Sequence, residues 1–280
     1  MIPNGVTIKI GDRKTTAEIN LMNSQLFSLK RKDVEVMWGG GAPEGYRPKS
    51  GWQNSMIEMF PVIGAPVAGR ILIDGNYFPM AQHGIARDLP WEMTRSNSYS
   101  ATFEQVYEGG QEVPSKKGTI SVFPRSYWLT KTYEISQGTL VFTLEVQNPS
   151  DKMLPYAVGW HPAFRAVEGS ILKVLQGREQ KDCIPLHRVR EANGNVLEFD
   201  NSDAIKYENT EFSLALNHNF GRTQIWDKGE GLVALEPISA FSMSRAPVNT
   251  KETELGLQQG YKNLKRGERA TFKANINIST

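Results

Sequence analysis

The sequence predicts an all-β protein of the sandwich or barrel-like class. Three observations carry the prediction. The clearest periodic segments alternate apolar and polar residues with a period of two. The 25 Gly and 15 Pro are scattered so evenly that few stretches could hold three helical turns. Short runs rich in aromatic and β-branched residues recur along the chain, bounded by glycine and proline.

Taken in chain order, Thr119–Phe123 is the first short strand candidate. Trp128–Ile135 and Leu140–Val146 follow, joined across Gln137-Gly138, and two such runs with a short glycine-bearing connection predict a hairpin. Phe212–Leu216, Thr223–Trp226 and Leu232–Glu236 add further strands. Ala270–Ile278 closes the series, with Phe272, Ala274, Ile276 and Ile278 on one face and Thr271, Lys273, Asn275 and Asn277 on the other. No composition shift, repeat or low-complexity tract divides the chain, so residues 1–280 are expected to form a single domain.

The segment from Asp33 to Arg95 differs in character. It implies long loops, which inside a compact domain usually serve binding. Gly39-Gly40-Gly41 lacks the strand–glycine–helix context and the Lys-Ser/Thr of a phosphate cradle and is expected to be a plain turn.

Composition excludes several functions. With 32 Lys+Arg against 30 Asp+Glu the net charge is +2, without the basic excess of a nucleic-acid binder. The short run Lys30-Arg31-Lys32 is expected to be a solvated turn. A single cysteine, Cys183, excludes an intrachain disulfide and a multi-cysteine zinc site. The first twenty residues lack an apolar core of signal-peptide length, and no apolar run approaches 18 residues. The expectation is a cytoplasmic protein, monomer or homodimer, with no nucleic-acid or membrane partner and no metal.

Four histidines occur, at 83, 161, 187 and 218. None forms an HExxH zinc pair. His187 and His218 sit in polar, loop-like contexts and are expected to be ordinary polar residues. His161, in Gly159-Trp160-His161-Pro162-Ala163-Phe164, precedes a proline, which pushes it into the extended region and ends the ladder beside it. His83 lies in Gln82-His83-Gly84, where glycine permits close approach of a ligand, and Arg87 and Asp88 follow within five residues. Glu236 repeats the His161 arrangement. It ends an apolar row of Leu232 and Ala234 and precedes Pro237, either as a strand-terminal carboxylate in water or as a general base with a raised pKa.

The segments MFPVIG, YFPMAQHGIARD, NPSDKMLPYAVGWHPAF, DAIKY and ALEPIS, in that order, resemble the aldose 1-epimerase (galactose mutarotase-like) family across residues 22 to 278. The stretch NPSDKMLPYAVGWHPAF is similar to the shorter branch, which includes hexose-6-phosphate mutarotases. The resemblance implies a large antiparallel β-supersandwich with few short helices. It also implies interconversion of the α and β anomers of an aldose or aldose phosphate by acid/base ring opening and closure, without a cofactor.

By the same resemblance, Glu236 would deprotonate the anomeric hydroxyl, His161 would protonate the ring oxygen, and His83 would steady the developing charge. Gln82, Arg87, Trp160 and Phe164 are candidate substrate contacts, as is Trp226. Asp203 and Asp227 compete for the role of a sugar-binding aspartate. Arg87 and Arg70 are the cations to watch for a phosphate. The chain departs from the family pattern in two places: Asn54–Pro61 holds no arginine, and Ile238 stands where an aromatic usually follows the Glu-Pro pair. A non-catalytic carbohydrate-binding protein on the same scaffold, and a glycan lyase or hydrolase, are the alternatives.

Overall fold

A computed structural model of the chain describes residues 7–21, 23–38, 56–115, 118–243 and 254–280. Gly39-Gly40-Gly41, Asn54 and Ser55 lie outside the described residues. Two antiparallel sheets dominate. The larger has nine strands in the order Glu179–Pro185, Ile171–Gln176, Ala204–Glu208, Ser213–His218, Arg269–Ser279, Thr139–Gln147, Tyr127–Ser136, Ser100–Tyr107, Glu92–Ser96. The smaller runs Val196–Asp200, Arg222–Trp226, Leu232–Ile238, Gly159–His161, Ile57–Met59, and Ala163–Arg165 also pairs with Leu232–Ile238. A four-stranded sheet of residues 7 to 35 lies outside both.

The expected strands are present, each within a residue or two of its sequence bounds. Their alternation is what binds the sheets together. In Thr139–Gln147 every second residue from Leu140 is buried, and in Arg269–Ser279 the buried set is Phe272, Ala274, Ile276 and Ile278. The hairpin turns through Gln137 (φ 51°) and Gly138 (φ 80°), a pair of positive values that matches the twist of the flanking strands. The one α-helix among the described residues is a short one, Leu186–Glu191. No helix among them is long and apolar enough to cross a membrane.

Two expectations need correction. The Asp33–Arg95 segment is not all loop: it contributes Val34–Glu35, Ile57–Met59, Arg70–Ile73, Asn76–Pro79 and Glu92–Ser96. These runs are too short to declare a period. His187 is not in a loop either but in the helix Leu186–Glu191, and His218 is not in a loop. It ends Ser213–His218, buried, with Nε2 3.0 Å from Thr223 Oγ1, and burial lowers its pKa to about 4.

The two large sheets pack face to face. Trp160 from the smaller stacks on Phe142 from the larger, with centroids 4.2 Å apart and planes within 4°. A buried ion pair crosses the same interface, Lys131 Nζ to Glu58 Oε1 at 2.6 Å, with both side chains at most 1% exposed. Lys131 also lies 4.1 Å from the centre of the Trp91 ring. Burial holds the Lys131 ammonium down at about 8 and pushes the Glu58 carboxyl up, while each charge partly restores the other. Glu58 faces Trp160 in the ladder between Ile57–Met59 and Gly159–His161, so the pair ties the strand that carries His161 to the larger sheet.

Candidate active site

Side chains that point away from this core reach the opposite face of the smaller sheet, because successive residues of a strand alternate sides. Trp160 takes the core side and His161 the other. Gly159 faces Ile238 and Ala163 faces Ala234. The same register carried across the break at Pro162 sets His161 opposite Glu236. Gln224 faces Glu236 from the next strand, and Glu198 faces Gln224 from the one beyond. Glu198, Gln224, Glu236 and His161 therefore form one polar row across four strands.

The row is tightly coupled. His161 Nε2 lies 3.2 Å from Glu236 Oε1, and Gln224 Nε2 donates to Glu236 Oε2 at 2.7 Å. Both members of the acid–base pair are buried, at 2% and 0% exposure. Burial raises the Glu236 carboxyl to about 8, with the Gln224 amide pulling it down and the Glu198 charge pushing it further up. Burial, reinforced by the positive charge of Arg87, drives the His161 imidazole down to about 3. Both shifts favour the neutral forms, so the pair at neutral pH shares a single proton that rests on the carboxyl.

His83 completes the cleft from another segment. Its backbone is left-handed, at φ 63°, an uncommon state for a residue with a Cβ. Two contacts with one glycine hold it there: His83 N donates to Gly64 O at 2.9 Å, and Gly64 N donates to His83 Nδ1 at 3.1 Å. An Nδ1 that accepts puts the ring proton on Nε2, so the Gln82 side-chain amide, 3.2 Å away, must present its oxygen rather than its NH2 to that proton. The next residue must be glycine, because a Cβ on Gly84 would meet the Phe60 carbonyl oxygen at 2.0 Å. The Phe60 carbonyl in turn accepts from Ile85 N, and Phe60 N donates to His83 O, which clasps the Phe60-Pro61 segment against the histidine.

The His83 and His161 rings sit edge to face with centroids 5.8 Å apart, and Trp226 approaches His161 at 6.0 Å. Together with Gly64, Ala65, Gln82, Gln224, Glu236 and Ser242 they line a cleft of about 250 Å3. The three residues expected to carry chemistry, Glu236, His161 and His83, thus meet in one place, with Gln82 and Trp226 beside them.

Other expected contacts fall elsewhere. Trp160 and Phe164 are fully buried in the core cluster, on the wrong face to meet a ligand. Asp203 accepts Gly177 N with both carboxylate oxygens at a turn of the larger sheet. Asp227 is fully buried and committed to Arg190 Nε at 2.9 Å and Gly229 N at 2.6 Å. Neither aspartate lines the cleft. Arg70 is exposed and lies over the Tyr77 ring at 4.1 Å. Arg87 stands just outside, in an adjoining recess that shares Ala65 and Gln82 with the cleft. Gln224 was not anticipated, although its place two residues from Trp226 and opposite Glu236 follows from the strand pairing.

The family model for aldose 1-epimerase matches residues 6–234. Solved structures share the fold. A galactose mutarotase-like protein from Lactobacillus casei is 22% identical, with 98% of this chain and 100% of that chain covered, at a TM-score of 0.76. A putative aldose 1-epimerase from Escherichia coli is 15% identical, covering 98% and 99%, at 0.71. A galactose 1-epimerase from Lactobacillus acidophilus is 12% identical, covering 98% and 94%, at 0.70.

Proposed function

The chain belongs to the aldose 1-epimerase family, and from that premise we propose that it is an isomerase interconverting the α and β anomers of an aldose. The observation that carries the reading is the 3.2 Å contact between Glu236 and His161, buried in a cleft that His83 completes. One buried cluster draws on residues from Ile10 to Ile278, which supports reading residues 1–280 as a single domain.

Mutarotation moves protons between two oxygens of one sugar. It needs a base at the anomeric hydroxyl and an acid at the ring oxygen. The resting pair already holds the one proton required. Passing it from Glu236 Oε1 to His161 Nε2 yields a carboxylate and an imidazolium, the base and the acid. A bound sugar, with a hydroxyl on the carboxylate and its ring oxygen on the imidazolium, favours that charged form by hydrogen bonds that burial otherwise denies it.

Glu236 then takes the anomeric proton while His161 gives its own to the ring oxygen, and the ring opens to the free aldehyde. Rotation about C1–C2 presents the other carbonyl face, and reversal of both transfers closes the ring as the opposite anomer. The Nε2–H of His83 donates to the sugar oxygens as charge develops. Each acid or base contributes about 10²–10⁴ in rate, or about 3–5 kcal/mol of barrier. Electrons stay paired throughout and no group leaves, so no redox cofactor is needed.

Gln224 fixes which carboxylate oxygen does the work. Its amide occupies Oε2 and leaves Oε1 toward His161 and the sugar. The test is anomer exchange by NMR over glucose, galactose and their 6-phosphates. Rates above the spontaneous ones for at least one aldose are expected, and background rates for all of them would overturn the assignment in favour of a non-catalytic sugar binder.

A further inference from the structure

Glu198 stands at the far end of the polar row from His161, on Val196–Asp200, the edge strand of the smaller sheet. Strand register alone leaves it two strands from Glu236. A hydrogen bond ties its carboxylate to the cleft wall: Glu198 Oε1 accepts from Ser242 N at 3.3 Å, and Ser242 lines the cleft. Ser242 packs so closely on Gly64 that a Cβ there would meet its Oγ at 1.7 Å. Gly64 is also the residue that holds His83. The Glu198 carboxylate is thus fixed between Gln224, which bonds Glu236, and the segment that backs His83.

The charges around Glu236 single Glu198 out. Asp200 and Arg222, one step along the same face, neutralise each other at 2.9 Å, Nε to Oδ1. Beyond the edge strand, Arg188 and Glu191 of the short helix pair at 3.3 Å and line a pocket of about 600 Å3 with Asp182 and Glu198. His161 and His83 face Glu236 across the cleft, and the Arg87 charge bears on His161. Among the described residues, Glu198 is the charged group that pushes the Glu236 carboxyl up beyond the effect of burial. Like charges disfavour the ionised form, so a carboxylate at Glu198 favours a proton on Glu236.

We propose that Glu198 is a positioning residue for the reaction, whose carboxylate keeps the shared proton on Glu236 until a sugar binds. This rests on the anomer-interconversion reading of the cleft. Glu198 touches none of the reacting atoms and acts through its field along the row. Two strand spacings are roughly 10 Å. At that distance, with an effective dielectric of about 20, one unit charge moves a carboxyl by about one pH unit.

The test reads Glu236 directly, by NMR titration of side-chain carboxyl carbons in protein labelled at glutamate. Loss of one signal in Glu236→Gln assigns it. Glu198→Gln keeps the volume and an oxygen for Ser242 N but removes the charge. The Glu236 midpoint near 8 should then fall by about one pH unit, and the alkaline limb of kcat/KM should fall with it. Glu198→Ala is a second neutral variant should the first fail to fold, and the same fall is expected.

Water entering a loosened cleft would also lower the midpoint. Glu198→Asp separates the two causes, because it disturbs the packing but keeps the charge, and its midpoint should stay close to wild type. An unmoved midpoint in Glu198→Gln overturns the proposal. So does a fall in Glu198→Asp equal to that in Glu198→Gln. A wild-type protein that accelerates anomer exchange for no aldose would overturn the catalytic reading alone, since the NMR midpoints do not depend on turnover.

Discussion

Gln224 and Glu236 face each other on adjacent strands, and the amide of the first holds Oε2 of the second at 2.7 Å, so that only Oε1 is turned to His161. A carboxylate fixed on one side is a directed base, and its hydrogen bond is one of the few influences that lower its pKa in this buried setting.

Gln224→Leu removes that donor. The Glu236 carboxyl should rise above its present value near 8, and the carboxylate should lose its orientation. The expected result is a fall in kcat of about tenfold, a modest loss for a group that positions a base, since losing the base itself costs 10²–10⁴. The alkaline limb of the pH profile should move upward with it. A lower kcat with an unmoved limb would separate the amide from the electrostatics of Glu236.

Glu236→Gln keeps the volume and the neighbouring contacts but cannot take a proton. Anomer exchange should drop by at least about 100-fold, with circular dichroism and Tm close to wild type. Polarimetry or NMR exchange on the purified variant measures it, and near-normal turnover would move the base to another residue.

The pH dependence follows from the shared proton. The active form of the free enzyme carries one proton on the pair. Above about 8 the Glu236 carboxyl loses it and nothing remains for the ring oxygen. Below about 3 a second proton reaches His161 and no base remains. The plot of kcat/KM against pH should hold a plateau between these limits and fall on both sides, whereas an acid limb near 6.5, the ordinary histidine range, would mean that His161 is hydrated in solution.

Lys131 and Glu58 make a different prediction. Lys131→Met strands a buried carboxylate and should cost about 3–5 kcal/mol of stability. Adding Glu58→Leu should restore most of it, because two apolar side chains replace the ion pair in the same volume. Denaturant unfolding of both variants is the measurement, and a double variant as unstable as the single one would show that the pair, rather than its charge balance, is needed.

Gly84→Ala tests the clasp around His83. Its Cβ would collide with the Phe60 carbonyl at 2.0 Å, in a backbone at φ 77° that disfavours any side chain. Overpacking and backbone strain together should cost about 2–4 kcal/mol. The variant should melt several degrees lower and lose activity, because His83 can no longer hold its place against Gly64.

The strands were legible through their alternation, whereas Glu236, His161 and His83 stood out together only through the resemblance to the family. Alternation in Leu232–Ile238 put Glu236 on a defined face, and the proline after His161 marked a real break in the ladder, whereas Pro237 lies within an unbroken strand. What the sequence could not supply was which face belonged to the core. Trp160 and His161 are neighbours on opposite sides of one strand, and an aromatic beside a candidate catalytic histidine reads as a sugar contact until the sheet is packed. Asp203 and Asp227 were misplaced because backbone N–H groups at turns claim aspartates as readily as sugars do. The Lys131–Glu58 pair left a trace that went unread: Lys131 shares its face with Leu129, Tyr133 and Ile135, where no free charge belongs.

The nine-stranded sheet places Arg269–Ser279 between Ser213–His218 and Thr139–Gln147, paired with the first over residues 274–279 and with the second over residues 269–277. A segment near the end of the chain is thus the joint between two halves of a sheet made from earlier residues. During synthesis the larger sheet stays divided until those residues emerge from the ribosome, later than every other strand of that sheet. The strands that carry His161 and Glu236 are made before that moment and gain their full supporting layer only after it.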